Sequence, residues 1–158
     1  VLARFSDPEL FDDAVEAVRK AGGVKRWDAV DGHYQMVVKV VKDHGLELGN
    51  LKQTFQLQEL IDLRVSEDRE PDGWATREDC FSYLFLETDP SGRAKVRDEV
   101  CRIEQCLVVN AVEGSYDTVL ILKGDTFATI DRVIDAKIAP LDGILRFRQN
   151  RIISSNPV

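Results

Sequence analysis

Histidine is nearly absent from this chain, at His33 and His44 only, and cysteine occurs three times, at Cys80, Cys101 and Cys106. The cysteines form no C-x-x-C pair and their number is odd. That argues against a disulfide scaffold and a zinc centre, and for buried, inert thiols in a reducing, cytoplasmic setting. No metal and no cofactor is expected. No apolar run approaches the roughly 20 residues of a membrane span, and no signal-peptide pattern precedes Val1, so a membrane is not an expected partner. A basic excess is also lacking, since 21 Lys and Arg stand against 28 Asp and Glu, a net charge of −7. Residues 1–66 carry 9 basic and 11 acidic side chains, 67–79 carry 2 and 6, and 80–158 carry 10 and 11. The acidity therefore sits mostly in the short middle stretch. Nothing forms the basic stripe that a phosphate backbone requires, and nucleic acid is not expected to bind this chain alone. Nor is there a G-x-S-x-G elbow, a P-loop or a paired metal-ligand motif.

What the chain does have is repetition. Ser6-Asp7-Pro8 corresponds to Thr88-Asp89-Pro90, and Ala29-Val30-Asp31-Gly32-His33-Tyr34 to Ala111-Val112-Glu113-Gly114-Ser115-Tyr116, 82 positions later. Paired without gaps, residues 1–41 and 83–123 share nine identities in 41 pairs, against roughly two or three from average residue usage. A repeat this long exceeds the roughly 20–50 residues of a solenoid unit. Each copy is expected to be a small domain, at 1–66 and 80–158, joined by the acidic linker 67–79. Those 13 residues reach up to about 43 Å when extended.

Periodicity orders the second copy. The β-rich segment 81–86 reads as a strand, and Asp89-Pro90 supplies a helix N-cap and a first-turn proline. Val96, Val100 and Ile103 form one helical stripe. Segments 107–112 and 118–122 read as strands flanking the turn Glu113-Gly114-Ser115-Tyr116. Ile130, Val133, Ile134 and Ile138 line a second helix, stopped by Pro140 and Gly143. A last strand opens at Leu145. The order β-α-β-β-α-β is that of an α+β, ferredoxin-like domain. The first copy follows it: strand 1–5; a helix lined by Leu10, Phe11, Ala14, Val15 and Val18; hairpin 24–30 and 34–41; a short helix around 48–57; a strand around 60–65. An open four-stranded sheet has one face left to bury, so the sheets are expected to pair in the manner of dimeric α/β barrels.

The block Ala111-Val112-Glu113-Gly114-Ser115-Tyr116-Asp117, with Ile138-Ala139-Pro140-Leu141-Asp142-Gly143-Ile144 further on, resembles the effector-binding RAM domain of the leucine-responsive regulator/AsnC (Lrp/AsnC) family. That family carries a Gly-x-Tyr-Asp turn and an Ile-x-Pro-Leu-x-Gly-Val segment. The resemblance implies two RAM-like domains without the helix-turn-helix that usually precedes one. It implies a regulatory protein binding an amino acid or similar metabolite, acting on transcription through partners, as a homodimer or higher oligomer or in hetero-assembly with full-length family regulators. Gln35 replaces the family aspartate in the first copy, which also lacks the Pro-Leu-x-Gly segment.

The ligand-binding residues implied are Gly114, Ser115, Tyr116, Asp117 and Thr118, and more weakly Gly32, His33 and Tyr34. Turn N–H groups at Gly114 can hold a carboxylate, Asp117 an ammonium group, and Tyr116 can cover an apolar side chain. In the purely structural reading Gly114 is a hairpin glycine, Tyr116 packs and Asp117 caps. Arg146, Arg148 and nearby Arg151 are either an anion site or solvated edge residues. His33 stands where Ser115 stands in the other copy, so no catalytic imidazole is required there, and Trp27 and Trp74 read as interface or linker anchors. No catalytic set converges, and the expectation is that the chain is not an enzyme. The alternatives are a dimeric α/β-barrel enzyme, either a small oxygenase or a tetrapyrrole-handling one, and an oligomerisation scaffold.

Overall fold

Asp7 and Pro8 begin the first helical region as their residue types require. The Asp7 carboxylate accepts from the N–H of Glu9 at 3.0 Å, and Pro8 occupies the opening of a single 3₁₀ turn. This geometry comes from a computed structural model that describes residues 1–76 and 78–158. Arg77, inside the expected linker, and the side chain of Thr76 lie outside the described residues. The chain divides into two units, Val1–Asp62 with Ile153–Val158, and Leu63–Ile152.

The first unit runs β1 (Leu2–Phe5), α1 (Phe11–Lys20), β2 (Val24–Gly32), β3 (Met36–Val40), α2 (Leu48–Thr54) and β4 (Leu57–Ile61). Its antiparallel strands lie in the order β4-β1-β3-β2. α1 buries Ala14, Val15 and Val18, with Asp12 and Asp13 in its first turn and Arg19 and Lys20 in its last, the placement that the helix dipole favours. Those residues pack with Phe5, Trp27, Met36, Val38, Phe55 and Leu57. Trp27 is thus a core residue of its own unit, not an interface anchor. Phe11 meets its ring edge-on at 6.4 Å and the Arg19 guanidinium lies over it at 5.5 Å.

The second unit contains β5 (Arg64–Val65), β6 (Cys80–Thr88), α3 (Arg93–Cys101), β7 (Cys106–Glu113), β8 (Thr118–Gly124), α4 (Phe127–Val133) and β9 (Ile144–Pro157), whose residues up to Ile152 belong to this unit. The strand order is β9-β6-β8-β7-β5, antiparallel throughout. Alternation sends Leu84, Leu86, Leu120 and Leu122 to the helix side, where they meet Val96, Val100, Ile130, Ile134 and Ile138. α4 continues into a π-turn, Ile134–Ile138, closed by the Ala139 N–H on the Ile134 carbonyl at 2.8 Å. The chain turns back at Gly143, whose φ of +97° suits glycine.

Both units are mixed α/β with antiparallel sheets, and the described residues form four α-helices. The segment expected as one strand at 60–65 is split. β4 ends at Ile61, and Arg64 and Val65 instead pair with Glu113 and Val112 of β7, capping an edge that would otherwise expose unpaired N–H and C=O groups. The repeat register also changes. Ala3 pairs with Met36 and Leu86 with Thr118, so the first strands correspond at 83 positions, not 82. Ser6, between Phe5 and Asp7, is the residue with no counterpart between Thr88 and Asp89. Residues 153–158 lie with the first unit, where the Val158 N–H bonds the Lys25 carbonyl at 3.0 Å.

Among the described residues, no helix is long and apolar enough to cross a membrane. The three cysteines are free, as a scaffold without disulfides requires. Cys101 is exposed, contrary to the expectation of burial, because it ends α3. Burial, with Cys101 close by, pushes the Cys106 thiol up to about 12 and keeps it unreactive.

Candidate functional site

The turn between β7 and β8 begins at Gly114, with φ of +139°, and closes with the Val112 N–H on the Asp117 carbonyl at 2.9 Å. An alanine at 114 would carry its Cβ into that strained region. Gly114→Ala is expected to cost about 1–2 kcal/mol, read as a lowered urea midpoint at constant slope.

Tyr116 leaves the turn for the face of the sheet opposite the helices. Its buried ring lies 5.6 Å from Phe85, which stacks on Tyr83 at 5.5 Å. Arg146 spreads its guanidinium 5.0 Å above the Tyr116 ring, pairs with Glu87 at 3.0 Å, and reaches the Ser115 carbonyl at 3.5 Å. Arg148 follows two residues on, on the same face and opposite Phe85. Its Nε is shut off from solvent and has no hydrogen-bond partner among the described residues. Arg151 does not join them. It lies on the helix side, bonded to Asp131 at 2.8 Å and over Phe127 at 5.1 Å.

Asp117 turns to the helix side, and donors surround it. Its carboxylate accepts from the Thr88 N–H at 2.6 Å and from the hydroxyls of Thr88 and Thr118 at 2.8 Å each, with Arg93 at 3.5 Å and Arg97 at 3.9 Å. The same hydroxyls accept from Arg93 Nε at 3.1 Å and Arg97 Nε at 3.0 Å, and Arg97 also donates to the Asp117 carbonyl at 2.6 Å. Burial lowers the Arg97 pKa from its ordinary value; Asp117 raises it and Arg93 lowers it further. Thr118 is thus part of the same brace, while Gly114 and Ser115 stand exposed at the rim.

The first unit's turn has the same backbone. Gly32 has φ of +148°, and the Val30 N–H meets the Gln35 carbonyl at 2.9 Å. The Gln35 side chain accepts from the Phe5 N–H at 2.9 Å, the task that Asp117 performs for Thr88. Tyr34, fully buried, donates to Glu59 at 3.2 Å, and His33 Nε2 lies 2.9 Å from the other Glu59 oxygen.

Sequence reasoning missed Glu59, Glu87, Arg93, Arg97 and Thr88. The four-residue spacing of Arg93 and Arg97 was a readable sign that both share a helix face. Glu59 lies far from the turn in sequence and only strand pairing brings it there.

No protein-family model matches the chain, and no curated protein matches it significantly. Solved structures do. The siroheme decarboxylase NirDL, in complex with an iron-uroporphyrin III analogue, is 7% identical and matches 98% of this chain and 70% of its own at a TM-score of 0.63. An anthrone oxidase-like protein is 10% identical and matches 99% of this chain and 90% of its own at 0.55. FFRP-DM1 is 19% identical and matches 47% of this chain and 99% of its own at 0.45. The first two of these matches correct the expectation that the chain is not an enzyme. The structures it resembles over nearly its whole length are a decarboxylase and an oxidase-like protein, so its fold is one that enzymes use.

Proposed function

We propose that the chain is a small-molecule-binding protein made of two copies of one ferredoxin-like domain, 1–66 and 80–158 joined by 67–79. Its ligand is a carboxylate-rich molecule held at the second copy's turn. The observation that carries this reading is the pair Arg146 and Arg148, side by side on one face, the first laid over Tyr116 and the second with a desolvated, unpartnered Nε. Guanidinium groups bind carboxylates through two parallel hydrogen bonds, and an aromatic ring beneath one of them fixes its plane. Gly114 and Ser115 add turn N–H groups at the exposed rim. The fold shared with a decarboxylase solved with an iron-uroporphyrin III analogue supports an acidic macrocycle as the first compound to try, with the chain as an enzyme acting on it.

A second reading, an amino-acid effector domain of Lrp/AsnC type, is favoured by the Gly114-x-Tyr116-Asp117 turn. It requires an acceptor for an ammonium group. The Asp117 carboxylate has its oxygens taken by the Thr88 N–H, two hydroxyls and two guanidinium groups. The ligand's sign of charge separates the two readings.

The test is a titration of iron-uroporphyrin III followed by its Soret band, beside calorimetry with the twenty amino acids. Saturable binding of the macrocycle is expected, weakened at least about tenfold by Arg146→Gln, the loss of one charge-assisted hydrogen bond. Binding of an amino acid alone would establish the effector reading, and an unchanged Soret band with no amino-acid heat would overturn both.

A further inference from the structure

We propose that the first unit carries a binding site of its own, which takes a small hydroxy acid: Arg4 holds the carboxylate and Nδ1 of His33 accepts the hydroxyl proton. This shares no residue with the ligand contacts proposed for the second unit and does not depend on them.

The argument begins with Glu59. An ionised carboxylate only accepts, so the 2.9 Å contact with His33 is an Nε2–H donation, and the hydroxyl of Tyr34 donates to the other oxygen at 3.2 Å. In the neutral imidazole that contact fixes the tautomer. With its proton on Nε2, the imidazole presents Nδ1 as an acceptor, and no hydrogen bond joins Nδ1 to any described residue. The ring is also fixed in orientation, edge-on to Tyr34 at 4.7 Å and 87°, on a buried tyrosine. An imidazole positioned by a carboxylate and a packed ring, with its second nitrogen open, is the arrangement of a proton acceptor.

Arg4 supplies the opposite charge. It is the cross-strand partner of Glu59, so both side chains stand on the face away from the helices, where Tyr34 also reaches Glu59. Despite that neighbour, Arg4 is half-buried and no hydrogen bond or ion pair joins its guanidinium to a described residue. Glu59 is already committed to His33 and Tyr34. The site therefore offers an open guanidinium fork and an open imidazole acceptor, and a 2-hydroxy acid supplies a carboxylate to one and an O–H to the other. The second unit does not reproduce this. The cross-strand pair there is Glu87 with Arg146, the reverse charge order, and Ser115 stands in place of the imidazole.

Two histidines make the test direct, because the imidazole region of a proton–carbon spectrum then holds only the signals of His33 and His44, assigned by His44→Gln. The probes are malate and succinate, equal in charge and differing by the hydroxyl. The expected result is a saturable shift of the His33 signals with malate, roughly fivefold or more tighter than with succinate, and no shift at His44. Arg4→Gln should weaken malate at least about tenfold, and Arg4→Lys, which keeps the charge and loses the fork, by a smaller factor. An unmoved His33, equal affinity for the two acids, or undiminished binding in both Arg4 variants with native circular dichroism would each overturn the proposal.

Discussion

Replacing Asp28 with alanine is expected to destabilise the first unit by about 3–5 kcal/mol, the usual consequence of removing one partner from a buried ion pair. Asp28 is 1% exposed in the middle of β2, and both of its oxygens lie 3.1 Å from Arg26 Nε, on a side chain only 12% exposed. Its carboxylate also accepts from Ser155 Oγ at 2.5 Å, a bond between residues 127 apart in sequence. Loss of the carboxylate removes the buried charge beside the Arg26 guanidinium and the side-chain bond to Ser155, while backbone contacts such as Val158 on Lys25 remain at 153–158. Urea denaturation should report the loss, and amide exchange should show deprotection beginning at 153–158. Asp28→Leu combined with Arg26→Met should regain much of the stability, since a buried pair exchanged for apolar groups of similar volume is often neutral. A cost below about 1 kcal/mol for Asp28→Ala would mean that water reaches the pair.

Much of the fold was legible because periodicity survives wherever one face is buried. The stripe Ile130, Val133, Ile134, Ile138 is buried as read, and the leucines of β6 and β8 alternate as a half-buried strand must. What the sequence did not disclose depends on long-range pairing. Arg64 and Val65 have strand propensity under either assignment, and only the open edge of β7 decides where they bond. Residues 153–158 continue a strand of the second unit while belonging to the first, which no local pattern marks. Trp27 misled because a tryptophan is as suited to a core as to an interface. The candidate site was half legible: the glycine and tyrosine of each turn and the arginines at 146 and 148 were visible, and Glu59 and Glu87 were not, because only strand pairing brings them to the turns.

The two turns show how one backbone carries two chemistries. At the hairpin and helix positions 82 apart, Arg93, Arg97, Asp117 and Thr118 of the second copy correspond to Phe11, Val15, Gln35 and Met36 of the first. The changes act together. A guanidinium needs the carboxylate, and once the carboxylate becomes an amide the space beside it is filled by rings, Phe11 meeting Phe5 at 5.4 Å and Trp27 at 6.4 Å. A structural role for Asp117 follows from this, because its counterpart keeps the bond to the first strand and otherwise bonds the carbonyls of its own turn.

Asp117→Ala is therefore expected to destabilise the second unit by about 3–4 kcal/mol, not to act as a surface substitution. The side chain is 13% exposed and ties β6, β8 and α3 at one point, through Thr88, Thr118 and the two arginines. Removing it leaves the Thr88 N–H unmet and sets two like charges side by side. The arginines, at 35% and 29% side-chain exposure, recover part of their solvation, which holds the cost below that of a fully buried pair. Asp117→Gln alone, the residue of the other copy, should recover the bond to Thr88 yet still lose about 2 kcal/mol, since the arginines then face an amide. Adding Arg93→Phe, Arg97→Val and Thr118→Met should bring back more than the sum of their separate effects, a coupling of about 1–3 kcal/mol that a cycle of denaturation midpoints measures directly. Strict additivity across that cycle would mean that the four positions do not act as one brace.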